Sequence, residues 1–94
     1  MYGTVMIASI NGTVEEMEER AKRWAKERGE AAGYVDQRVL IAGDGRIVVA
    51  IRFESKAQYE ALADDPKQDK WWQAEMVPLL NGEPEWIDGE WQDV

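Results

Sequence analysis

The chain has 94 residues, 45% of them apolar, a formal net charge of −8, and neither cysteine nor histidine. That length suits a single domain, 1–94, and the charge repels phosphate backbones and anionic bilayers, so no nucleic-acid or membrane partner is expected. The missing side chains remove disulfides, thiolate nucleophiles, cysteine zinc sites and the commonest haem ligand, so no cofactor, haem, iron or zinc is expected.

The opening MYGTVMIASING lacks the basic region and the long apolar run of a signal peptide, and no later stretch approaches a membrane span. A cytoplasmic location is the expectation. Tyr2 to Ile10 is β-branched and apolar and stops at the turn signal Asn11-Gly12, which predicts strand 1. Thr13-Val14-Glu15-Glu16 is a capping-box pattern and opens a helix whose apolar stripe is Val14, Met17, Ala21, Trp24 and Ala25. Gly29 is its natural stop.

Tyr34 to Ala42 alternates, with Val35, Val39 and Ile41 on one face and Tyr34, Asp36, Arg38 and Leu40 on the other. Gly43-Asp44-Gly45 predicts a hairpin turn into strand 3, Ile47 to Phe53. Ser55 to Gln58 is a second capping pattern, opening helix 2 with Tyr59, Leu62 and Ala63 inward. Asp65 and Pro66 restart the helix as N-cap and first helical residue. Trp72, Met76 and Leu79 then share a face, and Pro78 weakens the last turn. Glu85 to Val94 predicts strand 4, bent or bulged at Gly89.

The order βαββαβ defines an α+β, ferredoxin-like fold: an antiparallel four-stranded sheet with two helices on one face. Two helices cover one sheet face only. Strand 3 is nevertheless apolar on both sides, at Ile47, Val49, Ile51 and Phe53 and again at Val48 and Ala50, and strand 1 repeats the pattern. A sheet open to water shows cleaner alternation, and a bare apolar face promotes association. The expectation is therefore a homodimer paired through the sheet faces.

GYVDQRVLIAGDGRIVVAIRFESKAQYEALADDP, with KWWQAEMVPLL and EPEWIDGEW after it, resembles the antibiotic biosynthesis monooxygenase-like group of the dimeric α+β barrel superfamily. Its most specific parts are RFESKAQYEAL and LLNGEPEWIDGEW, and the likeness spans nearly the whole chain. The resemblance implies two ferredoxin-like subunits pairing their sheets into a barrel, with ligands in the cleft between sheet and helices. It also implies relatives that oxygenate polycyclic aromatic molecules without a cofactor, relatives that degrade haem, and relatives of no assigned reaction. Haem degraders use an asparagine, a tryptophan and a histidine ligand. Trp71 or Trp72 could match the tryptophan, Asn11 falls in a turn, and no histidine exists here, which argues against haem chemistry.

Four of the five tryptophans fall between Trp71 and Trp91. Trp72 reads as core on the Met76 and Leu79 stripe, with ligand contact as the alternative. Trp71 lies about a hundred degrees round the helix from it, so one of the two should sit at a pocket mouth or an interface. Trp86 and Trp91 read as core and dimer-edge packing, and Trp24 as core or core edge. Arg38 and Arg52 each place a charge inside a strand, which needs water or a partner. They pair with Asp36 or Glu54, or they face the cleft and hold an anionic, phenolate-like ligand that Tyr34 and Tyr59 assist. The candidate ligand-binding residues are thus Trp72, Trp71, Arg38, Arg52, Tyr34 and Tyr59, with no catalytic residue assigned. Three activities stay open at this stage: cofactor-independent oxygenation of a small aromatic or polyketide-like molecule, non-catalytic ligand binding or a stress-response scaffold, and a cyclase or isomerase. A large cleft faced by an arginine favours an enzyme; a filled cleft favours the scaffold.

Overall fold

The computed structural model describes residues 1–28 and 32–94. Along the chain run β1 (Tyr2–Ser9), α1 (Val14–Arg28), β2 (Tyr34–Ile41), β3 (Arg46–Phe53), α2 (Lys56–Ala63), α3 (Pro66–Trp71), a π-helical turn (Trp72–Met76), a 3-10 turn (Val77–Leu79) and β4 (Glu85–Glu90). The sheet order is β2-β3-β1-β4, and its three pairings are antiparallel. This is the ferredoxin-like βαββαβ arrangement, with the helices packed on one face. The helix stop expected at Gly29 lies outside the described residues. No helix among the described residues is long and apolar enough to cross a membrane.

Local chemistry explains the boundaries. At the start of α1 the Thr13 hydroxyl accepts from the Glu16 amide (3.1 Å), while Glu16 accepts from the Thr13 amide (3.2 Å). Each thereby satisfies a backbone donor or helix-end group that the helix leaves unpaired. Ser55 caps α2 by accepting from the Gln58 amide, and Asp65 caps α3 with Pro66 at its first position. The β2–β3 turn closes with the Gly45 amide donating to Ala42 O (3.0 Å) and the Ala42 amide to Arg46 O (2.9 Å). Gly45 sits there at φ +90°, a left-handed conformation that a side chain would disfavour.

Three details depart from the expected pattern. The β2–β3 register shifts between Tyr34 and Asp36, so that Tyr34 opposes Phe53 while Asp36 opposes Arg52. Val35 is the extra residue of this bulge. Tyr34 consequently joins Gln37 and Val39 on the helix side instead of sharing a face with Asp36, Arg38 and Leu40. Strand β4 keeps a continuous register through Gly89, opposite Gly3, and ends at Glu90, so no bulge interrupts the pairing at Gly89. Finally, the chain from Trp72 onward winds as a π turn and then a 3-10 turn containing Pro78, whose ring nitrogen has no hydrogen to donate.

The core between sheet and helices is built on Met6, Ala8, Ile47 and Val49 from the sheet, Met17 from α1, and Met76, Leu79 and Leu80 from the segment before β4. Ile10 leaves β1 to make an isolated bridge with Leu80, tying that segment to the end of the first strand. A charged clasp adds to this: Glu75 in the π turn takes Arg20 Nε at 2.9 Å and Arg23 at 3.3 Å, both from α1.

Candidate functional site

Helices and sheet do not close completely on one another. Between them lies a cavity of about 290 Å³, at the lower edge of the sizes typical of small-molecule sites. Its floor is the inner sheet face: Thr4 and Met6 of β1, Val49, Ile51 and Phe53 of β3, Gln37 and Val39 of β2, and Trp86 of β4. The roof comes from Met17, Ala21 and Trp24 of α1, then Tyr59, Leu62 and Ala63 of α2, as their spacing suggested. Gln68, Asp69 and Trp71 of α3 and Trp72 and Met76 of the π turn complete it.

Both Trp71 and Trp72 line the same cavity, although their positions on one helix suggested that they would separate. Neither is fully buried, and each also packs against the core. Trp71 closes α3 and Trp72 opens the π turn. Trp86 meets Trp72 across the cleft with ring centroids 5.3 Å apart and planes at 56°. Trp86 is 45% exposed, so this pair borders an open part of the wall. On the other flank Phe53, Tyr59, Tyr34 and Trp24 form a run of edge contacts. Phe53 lies 5.4 Å from Tyr59 and 5.9 Å from Tyr34, and Tyr34 lies 5.0 Å from Trp24. Tyr34 therefore stands behind the lining and supports it. Such offset and edge geometries are those aromatic quadrupoles favour.

Polar groups in the wall are few, and Thr4, Tyr59, Gln68 and Gln37 are engaged. Thr4 is 2% exposed and donates to Ile87 O at 3.3 Å. The Tyr59 hydroxyl donates to Asp88 at 3.0 Å. Burial, and secondarily Asp88 beside it, pushes the Tyr59 pKa up to about 12. Gln68 accepts from the Trp24 indole at 2.9 Å, and Gln37 donates to Ala21 O at 3.2 Å. Burial raises the Tyr34 pKa as well, with Asp36 adding to the effect.

Arg38 and Arg52 do not join this site. Ala50 and Arg52 alternate with Val49, Ile51 and Phe53, so they and their β2 partners Arg38 and Asp36 face away from the helices. Arg52 donates twice to Asp36, at 2.8 and 2.6 Å. This bidentate pair holds the Asp36 carboxyl below its ordinary pKa. The same outer face carries Val5, Ile7 and Val48, with Leu40 64% and Ile87 52% exposed. Trp91 also belongs here: its indole donates to Ile51 O at 3.3 Å, close beside Gly3. A Cβ on Gly3 would stand 2.6 Å from that indole nitrogen and 2.0 Å from Ile51 O, so the approach requires glycine.

Sequence reasoning had left out Gln37, Thr4, Gln68, Asp69 and Met17 as site residues, and had read Trp24 and Trp86 as packing. Strand parity could have found Trp86, because it opposes Met6. Gln37 keeps the parity of Val39 and Ile41 and was hidden only by being a polar side chain on an otherwise apolar face.

No protein-family model matches the chain, and no curated protein matches it in sequence. Solved structures do. SnoaB, a cofactor-independent oxygenase from Streptomyces nogalater, is similar at a TM-score of 0.81 and 15% identity, over 99% of this chain and 94% of that one. The monooxygenase of the ActVA-Orf6 gene of Streptomyces coelicolor, in complex with nanaomycin D, is similar at a TM-score of 0.74 and 18% identity, over 99% and 88%. A mutant of MhuD with two manganese protoporphyrin IX groups per active site is similar at 0.77 and 20%, over 100% and 98%. The chain thus has the fold of the antibiotic biosynthesis monooxygenase-like proteins, as its strand-to-helix and closing segments suggested. At these identities the likeness speaks for fold, and activity has to be argued from the site.

Proposed function

We propose that the cavity between sheet and helices binds a planar, hydrophobic aromatic molecule and that the protein is a monooxygenase-like enzyme acting on it. The observation that carries this reading is the open, aromatic-walled space of about 290 Å³ beneath Trp71 and Trp72. A protein using this fold only as a scaffold has no need to keep such a space unfilled, since a void forfeits packing. The fold shared with a cofactor-independent oxygenase supports the reaction class.

Oxygenation without a cofactor draws its electrons from the substrate. An acidic C–H loses its proton to solvent, and the carbanion gives electrons to O₂. One oxygen atom enters the ring as a carbonyl, and the other leaves as water carrying the returned proton and the second hydrogen of that carbon. The protein's part is to orient the ring between indoles and exclude water, with neutral donors such as the Gln68 amide beside the substrate oxygen. Arginine takes no part in this account, because Arg38 and Arg52 lie on the other face. Their place favours a second reading, non-catalytic binding of the same class of molecule, since no lysine or arginine among the described residues lines the cavity to stabilise a substrate anion.

The outer sheet face supports a further element of the proposal, a homodimer in which two such faces cover one another. Leu40, Ile87, Val5 and Ile7 would lose their exposure to water there, and the Arg52–Asp36 pair would be enclosed with them.

Oxygen uptake with anthrone, an aromatic ketone with an acidic CH₂, separates the readings. The enzyme reading expects one O₂ consumed per anthraquinone formed, with no added metal, flavin or haem, above the rate in buffer. Saturable binding without extra oxygen uptake supports the binder. The absence of both overturns the pocket.

A further inference from the structure

We infer that the cavity selects its ligand by charge, preferring an aromatic amine in its ammonium form over neutral and anionic molecules of the same shape. The inference rests on the ligand-pocket reading above in its second, non-catalytic form, because a cavity that disfavours anions does not suit a carbanion, and it adds the chemical class. No lysine or arginine is among the described residues that line the cavity. A carboxylate, Asp69, is part of the wall, and a second, Asp88, is held against the Tyr59 hydroxyl at 3.0 Å. The same wall carries Trp71, Trp72, Trp86 and Tyr59.

Aromatic faces carry negative potential and attract a cation, most strongly for tryptophan and where water is excluded. The nearest arginines of α1, Arg20 and Arg23, are taken up by Glu19 and Glu75. Lys67 and Lys70 of α3 are exposed and lie outside the lining. The net charge of −8 adds a background field of the same sign. An anion entering this space leaves its hydration shell and finds no countercharge. An ammonium group finds Asp69 and indole faces.

The test uses three naphthalene probes of nearly equal shape: naphthylethylammonium, naphthylacetamide and naphthylacetate. Affinities are read by calorimetry and by quenching of tryptophan fluorescence. The expected order is ammonium, then amide, then carboxylate, with about tenfold or more between the first and the last at low salt. That spread should narrow as salt rises, because part of it is long-range field. Asp69→Asn keeps the side-chain shape at an exposed helical position and should reduce the ammonium preference several-fold while leaving the amide unchanged. Equal affinities, or tighter binding of the carboxylate, would overturn the charge inference while the pocket reading stands. If no probe binds saturably, the pocket reading fails and the charge inference falls with it.

Discussion

Tyr59 places its hydroxyl in the cavity wall with Asp88 as acceptor, and the site's protonation behaviour can be read through it. Its pKa of about 12 in the fold stands above the ordinary value of about 10 for an unfolded chain. The fold therefore favours the protonated form. That stabilisation is fully present below about pH 10 and is lost as pH rises through about 12. An ultraviolet titration of phenolate formation should show a component lagging the rest, and Tyr59→Phe should remove it. A variant that keeps the latest component would show that another group carries it. At this scale the sequence was legible wherever an interaction closes within a few residues. Thr13, Ser55 and Asp65 cap as their spacing suggests, because a cap needs only its own helix turn. Tyr34 was misplaced because its face depends on a register shift set by the pairing of β2 with β3.

Elements whose signals are short-range formed as their sequences indicate: four strands, α1, and the break that Asp65-Pro66 makes between α2 and α3. The π turn at Trp72–Met76 was not legible, since its apolar spacing also suits an α-helix. The hairpin illustrates a local rule with a measurable cost. Among the described residues, no atom beyond its two chain neighbours lies within 4 Å of where a Gly45 side chain would begin, so crowding plays no part there. Gly45→Ala should cost about 1–2 kcal/mol in denaturant unfolding, through the left-handed φ alone. Gly45→Asn should recover much of that, because asparagine tolerates this region. Equal losses for the two would place the cost somewhere other than the backbone conformation.

For the whole molecule, both apolar faces of the central strands were visible in sequence, and the structure gives them different surroundings. One face lines the core and cavity; the other, with Leu40, Ile87 and the Arg52–Asp36 pair, is covered by no third layer among the described residues. If two outer faces meet, light scattering at micromolar concentration should give twice the 10.7 kDa chain mass. Ile87→Lys should weaken association at least tenfold by placing an unpaired charge in the contact. A folded, soluble monomer, or a variant that associates unchanged, contradicts that assembly. The division of the tryptophans between faces also allows the pocket to be tested directly. Trp24, Trp71, Trp72 and Trp86 line the cavity, whereas Trp91 lies on the opposite side of the sheet, its indole bonded to Ile51 O. The decisive measurement is the response of the five indole N–H resonances to added naphthylacetamide, each assigned by single Trp→Phe variants. Binding in the cavity predicts saturable shifts at Trp71, Trp72 and Trp86, with Trp91 nearly still. Shifts largest at Trp91, or small and linear at all five, would contradict it.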